Sequence, residues 1–241
     1  MQKKITRILN ICNVDEEGRF GGPELRILNV ANHLKKLSIN THVVIPKIDS
    51  EFFQKKLKSS NINFSTLDIT RLSKEKSFLF RYIFRFLIEV FLLVKFFNRN
   101  KFDLVHVNGV YQFKVTFAAK ISRVPVVWHL NDTYSPYILK KLFDLIAKHM
   151  ANSFIIAGKR VGEYYLQNKR LKHKEVIEIN APVDISKFDP NLFPTSKNDD
   201  NAIIIGMISG INPVKGVEFF IDMVYGLKKK NPTLKFLIAG K

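Results

Sequence analysis

Residues 102–132 read FDLVHVNGVYQFKVTFAAKISRVPVVWHLND. Two short apolar runs, Leu104, Val105 and Val107, then Val124, Val126 and Val127, flank a longer segment. Each run is too short for a typical helix, and its near-continuous apolarity is what a strand covered on both faces of a parallel sheet requires. Working outward, similar runs rich in Ile, Val and Phe recur at 5–12, 41–46, 61–67, 153–157 and 176–179. The segments between them have helical spacing: Leu25, Leu28, Ala31, Leu34 and Leu37, in steps of three, predict one apolar helix face. Strands alternating with helices predict an α/β fold with a parallel sheet.

After Ile179 proline, asparagine and charge interrupt the pattern, and a new strand, helix and strand follow at 202–209, 215–230 and 234–239. The expected organisation is a first domain over 1–182, a linker over 183–200 and the start of a second domain over 201–241. Two strands and one helix bury too little apolar surface to stand alone, so the second domain is expected to be truncated.

The chain of 241 residues is 46% hydrophobic and 25% charged, which suits a globular protein and excludes a disordered tail or a disulfide mini-protein. One cysteine, Cys12, forms no internal disulfide, and no start resembles a secretory leader, so a reducing, cytoplasmic setting is expected. The net charge is +18, from 39 Lys+Arg against 21 Asp+Glu. Residues 191–241 hold 7 and 4 of these, leaving 32 and 17 in residues 1–190. Such a surface attracts anionic lipid, phosphorylated substrates or polyanions. With no nucleic-acid recognition motif, a nucleic-acid partner is not expected.

The stretch from Phe78 to Phe97, FLFRYIFRFLIEVFLLVKFF, has the length of a bilayer crossing. Arg81, Arg85 and Glu89 at four-residue steps argue against a span, because charges at mid-bilayer cost about 2.5–3.5 kcal/mol each. Two readings stay open: a helix packed on the sheet with a narrow solvated charged stripe, or one whose aromatic face meets an anionic membrane surface.

Three turns have the composition of anion or sugar sites. Gly21-Gly22 precedes Pro23 and Glu24 at a helix start, where glycine permits a sharp turn and free N–H groups can hold a phosphate or carboxylate, the alternative being a plain turn. The spacing is not GxGxxG. Ser209-Gly210-Ile-Asn212-Pro-Val-Lys215-Gly216 places a cation and backbone N–H groups where a diphosphate could be clamped, or else a solvated lysine, and it is not a P-loop. Trp128-His129-Leu-Asn131-Asp132 falls at the carboxyl end of a strand, where parallel sheets bind ligands. The alternative there is a helix cap made by Asp132 or Thr133.

Together these motifs resemble glycosyltransferase family four, also called glycosyltransferase group one. The resemblance rests on GGPELRILNVANHL, FDLVHVNG, WHLND, SFIIAGKRVGEYY, INAPVDISKFDP and IGMISGINPVKG, six motifs in order along nearly the whole chain. It implies a GT-B fold of two Rossmann-like domains. The implied activity is retaining transfer of a sugar from a nucleotide-diphosphate donor to a bacterial surface glycan or lipid-linked acceptor. It implies no metal or other cofactor, and a place in the cytoplasm or peripheral on the inner face of the membrane.

Carried over by position, Gly21, Gly22, Ser209, Gly210, Asn212, Lys215 and Gly216 would hold the donor. His129 would face the transferred sugar, and Lys215 would stabilise the leaving diphosphate. Glu24, Asn108, Asn131 and Asp132 would lie on the acceptor side. Three positions depart from the family pattern. Gly210 stands where an arginine is usual and Gly158 where a serine is usual. The chain also ends at Lys241, before the family's carboxylate pair, so that alone it is expected to be inactive. The other reading is a non-catalytic acceptor- or membrane-binding fragment.

Overall fold

The computed structural model describes residues 9–72, 76–133, 135–169, 171–183, 185, 188–192, 203–211 and 215–240. The chain forms two compact units, Met1–Pro182 and Val183–Lys241.

The first unit is built on seven strands: β1 (Asn10–Val14), β2 (Asn40–Pro46), β3 (Asn63–Leu67), β4 (Leu104–Asn108), β5 (Val126–Leu130), β6 (Ser153–Ile156) and β7 (Glu175–Glu178). All pair in parallel, in the order β3-β2-β1-β4-β5-β6-β7. The order reverses between β1 and β4, which opens a crevice at their carboxyl ends. β1 and β4 each run past the apolar residues that announce them, β1 to Val14 and β4 to Asn108. The expected start of β1 at residues 5–8 lies outside the described residues.

Helices cover both faces. On one side lie α1 (Gly22–Lys36) and α2 (Glu51–Ser59). Their apolar residues, among them Ile27, Leu28, Ala31, Phe53 and Leu57, pack on Val43 and Ile45. On the other side α3 (Lys76–Asn100), α4 (Phe113–Ile121), α5 (Tyr137–Met150) and α6 (Lys159–Tyr165) cover the larger core around Val105, Val107 and Trp128. The Trp128 ring meets Phe143 edge to face at 4.9 Å between centroids, and α4, apolar nearly all round, lies packed against both α3 and α5.

The predicted face of α1 needs correction. Leu25 and Leu37 are exposed, and the buried line runs through Glu24, Ile27, Leu28 and Ala31. Steps of three residues fall short of a 3.6-residue turn by about 60° each, so the four steps between these five residues wind around the helix instead of marking one face.

Of the two readings left open for α3, the solvated charged stripe holds only at Arg81, which is exposed. Arg85 pairs with Glu89, Nε to Oε1 at 2.9 Å, Arg85 is partly buried, and Glu89 is wholly buried against the protein. Glu89 also accepts from the Thr70 backbone N–H at 2.8 Å and from Lys114 Nζ at 2.5 Å. Lys114 lies 4.1 Å from the centroid of the Tyr82 ring. With Glu89 satisfied inside, much of the face left outside is apolar: Phe80, Ile83, Phe84, Leu87, Ile88 and Phe91 are all more than 60% exposed. Even so, no helix among the described residues is long and apolar enough to cross a membrane.

In the second unit, β8 (Ile204–Ile208) and β9 (Lys235–Ala239) pair in parallel around α7 (Val217–Lys230). No described residue of this unit is buried. At its end Gly240 approaches the Ser209 backbone so closely that a Cβ there would overlap the Ser209 carbonyl.

Candidate functional site

A cavity of about 210 Å³ opens beyond the carboxyl ends of β1, β4 and β5, at the reversal of strand order. Glu24, Asn108, Asn131 and Asp132, named from different motifs, all line it. They converge because strand register places their elements side by side: Asn13 lies opposite His106, and Asn108 opposite His129.

The loop after β1 supplies the acidic wall. Buried Asp15 accepts the backbone N–H groups of Gly18 at 3.0 Å and Glu17 at 3.3 Å. This fold of the loop uses Gly18 at φ 73°. Neither Gly21 nor Gly22 has a positive φ, so the sharp turn expected at those two glycines is made three residues earlier, by Gly18. Gly22 is nonetheless open, with no atom within 4 Å of where a Cβ would stand. Glu24 reaches back to accept the Gly21 N–H at 2.7 Å, occupying one of the donors at the start of α1.

Two of these carboxyl groups ionise near neutrality. Burial, and then the neighbouring Glu24, push Asp15 up to about 8, and burial raises Glu24 as well, so the pair as a unit retains a proton near neutrality. Burial pushes Glu16 up to about 7 against the pull of Lys114, whose ammonium lies 3.5 Å away.

His129 lies beneath the cavity, only 3% exposed. Its Nε2 is 2.6 Å from Arg26 Nη1 and its Nδ1 is 3.2 Å from His106 Nε2, with the two rings stacked. Burial, His106 and Arg26 lower its pKa to about 3, so it is a neutral imidazole with both nitrogens engaged. Arg26 also donates to Asn131 Oδ1 at 2.9 Å. The alternative helix-cap reading fails: α5 begins at Tyr137 after Pro136, away from Asp132 and Thr133.

In the second unit, Ser209 Oγ donates to the Gly210 carbonyl at 3.0 Å, and Lys215 is exposed just before Gly216, which caps α7 at φ 72°. Asn212 lies outside the described residues. Among the described residues no His, Cys, Asp and Glu side chains are grouped to hold a metal ion.

Sequence reasoning missed Arg26, His106, Asn13, Asp15 and Glu16. A signal existed for two of them: Asn13 and His106 are polar residues inside otherwise apolar parallel strands, which demands a buried partner. Arg26 carried none, since an arginine on an amphipathic helix ordinarily reads as solvated.

Comparison with known proteins decides the family, because the profile of Glycosyltransferase Family 4 matches residues 20–187. The chain belongs to glycosyltransferase family 4. No curated protein sequence matches significantly. Among solved structures, a glycosyltransferase from Rickettsia africae ESF-5 superposes with a TM-score of 0.76 at 19% identity, over 98% of this chain and 61% of that one. A lipopolysaccharide outer core galactosyltransferase gives 0.63 at 14%, over 97% and 69%. A UDP-GlcNAc 2-epimerase from Neisseria meningitidis bound to UDP-GlcNAc gives 0.60 at 18%, over 95% and 65%. These likenesses show the fold, GT-B, which family 4 shares with epimerases. The chain spans less than two thirds of the Rickettsia structure's length.

Proposed function

We propose that this chain forms the acceptor-side part of a retaining glycosyltransferase that moves a sugar from a nucleotide diphosphate to a lipid-linked glycan at an anionic membrane surface. The observation that carries the reading is the cavity at the strand-order reversal, lined by residues from three separate family motifs. Family membership supplies the reaction class.

In this reading the acceptor hydroxyl sits among Glu24, Asn108, Asn131 and Asp132. Asp15 and Glu24 as a pair retain a proton at pH 7, and the Glu24 carboxyl stays fixed against the Gly21 N–H. The open backbone at Gly22 lets the donor diphosphate approach α1. On the second unit, considered by itself, exposed Lys215 ahead of Gly216 is a cation that would meet developing phosphate charge without a metal.

Membrane docking is assigned to α3. Its exposed apolar stripe is bordered by exposed Arg81, Lys95 and Arg99, and its acid, Glu89, is buried. α5 adds exposed Ile138, Leu142 and Leu145 beside Lys141. An apolar face rimmed by cations satisfies the two-signal requirement for peripheral binding to anionic lipid.

The test is turnover of a panel of nucleotide sugars by the whole protein on a lipid-linked acceptor, with the product anomer read by NMR. Inversion, or no turnover with any donor, contradicts the proposal. The second reading, a non-catalytic membrane-binding fragment, is favoured by the unburied second unit. It is separated by calorimetry of this chain with UDP and with anionic vesicles: vesicle binding without nucleotide affinity selects it.

A further inference from the structure

Arg26, His129, His106, Asn13 and Asn108 run in one hydrogen-bonded line beneath the cavity. Arg26 Nη1 lies 2.6 Å from His129 Nε2, and His129 Nδ1 lies 3.2 Å from His106 Nε2. His106 Nδ1 is 3.1 Å from Asn13 Nδ2, and Asn108 Nδ2 is 2.6 Å from Asn13 Oδ1; nitrogen and oxygen of each amide are interchangeable in outline, and the donor count reverses both. Arg26, His129, Asn13 and Asn108 are each less than a tenth exposed.

A guanidinium only donates, so His129 Nε2 accepts. A neutral imidazole then carries its hydrogen on Nδ1 and donates to His106 Nε2. His106 in turn carries its hydrogen on Nδ1 and needs an acceptor at Asn13, which must be the amide oxygen. The Asn13 amino group then points at Asn108, whose oxygen accepts. An amide has the same outline either way round, so the donor count chooses its direction. Turned the other way, Asn13 would donate to His106 Nδ1 and force two N–H groups to face each other between the rings.

The far end of the Asn108 amide, occupied by Oδ1, is buried, has no hydrogen-bond partner among the described residues, and belongs to a residue lining the cavity; turning the amide so that Oδ1 accepts from Asn13 puts Nδ2 at this end. We propose that Arg26 sets the polarity of this line, so that Asn108 presents an N–H donor to the cavity and selects a hydroxyl of the occupant there. Gln112 Oε1, also buried and unpartnered among the described residues, lines the same cavity and needs a donor. A hydroxyl accepts from Asn108 and donates to Gln112; an ammonium does only the second and a carboxylate only the first. The neutral state holds because burial lowers His106 to about 4 and His129 to about 3.

The tautomers are read by long-range ¹⁵N NMR on the full chain at pH 7. Both imidazoles should carry hydrogen on Nδ1 alone, and an Nε2–H or an imidazolium at either one overturns the assigned polarity. In Arg26→Met at least one histidine should switch to Nε2–H; unchanged tautomers would remove Arg26 as the positioning residue. If that variant fails to fold, the unmodified chain still decides the polarity.

The ligand half rests on the acceptor reading. It is tested by titrating methyl α-D-glucopyranoside, acetate and methylammonium while following the Asn108 side-chain NH₂ signal. The glycoside should move it more than either ion. A larger response to an ion, or none to the glycoside, overturns the hydroxyl assignment while leaving the tautomer result standing.

Discussion

Glu89 and Lys114 meet at 2.5 Å with neither side chain reaching solvent, and this buried contact ties α3 to α4. It explains how an aromatic helix turns Glu89 inward. Lys114 holds Glu89 and Glu16, Arg85 bridges Glu89 to Asp68, and the Thr70 backbone fills the remaining acceptor capacity.

Removing one partner from such a group strands a buried charge. Lys114→Met is expected to lower stability by about 3–5 kcal/mol, measured by urea unfolding. A loss below about 1 kcal/mol, the range of exposed pairs, would show that the network is solvated.

The outward face of α3 should behave oppositely. Leu87→Asp with Phe91→Asp changes two exposed side chains, so unfolding free energy should move by only about 0.5 kcal/mol per site. Flotation with anionic vesicles should fall sharply. Replacing Lys95 and Arg99 by Gln should weaken binding by about 1 kcal/mol for each cation. Equal flotation of all variants, or of the parent with neutral vesicles, removes the docking surface.

Stability should fall on the alkaline side. Asp15 and Glu16 have folded pKa values raised to about 8 and about 7, above their unfolded 3.8 and 4.5. Across that window the folded state holds protons that the unfolded state has released, so their stabilisation is lost as pH rises. His106 and His129 are depressed to about 4 and about 3, so they act in the other direction, costing stability as pH falls below about 6.5. The acid and histidine contributions oppose each other near pH 5–6, leaving a decline between about pH 6.5 and 8. Asp15→Asn should flatten that decline in thermal melts; an unchanged slope would show that Asp15 is ionised in the folded state.

The glycines of the β1–α1 loop should separate structure from ligand approach. Gly18→Ala places a Cβ at φ 73° and 3.1 Å from Pro46 Cδ, and should cost about 1–2 kcal/mol. Gly22→Ala meets nothing within 4 Å and should leave the melting temperature unchanged while weakening donor binding in the whole protein. Full donor affinity in Gly22→Ala would remove the proposed approach of the diphosphate.

The strand centres and the family were legible because buried parallel strands must be apolar and because glycine, histidine and aspartate cluster in recognisable turns. Two residues that line the cavity were legible for a related reason: Asn108 and Asn131 stand just where apolar runs stop. Arg26 was not, since its partners His129, Asn131 and Ile179 lie more than 100 positions away and no local period registers them. The direction of α3 stayed open because a row of charges ordinarily faces water while so aromatic a face ordinarily does not. Here Lys114, on another helix, supplies the neutralising charge that lets Glu89 face inward.

By itself, then, the sequence determined the order of strands and helices, the parallel sheet and the family, because these depend on periodicity and on motifs short enough to be local. Only the tertiary structure decided which face of α3 meets solvent, which glycine makes the turn, and that Arg26, His129, His106, Asn13 and Asn108 form one line. Each of those depends on charge and hydrogen-bond partners brought together across the sheet, and in a buried setting an unmatched donor or charge costs more than any local preference.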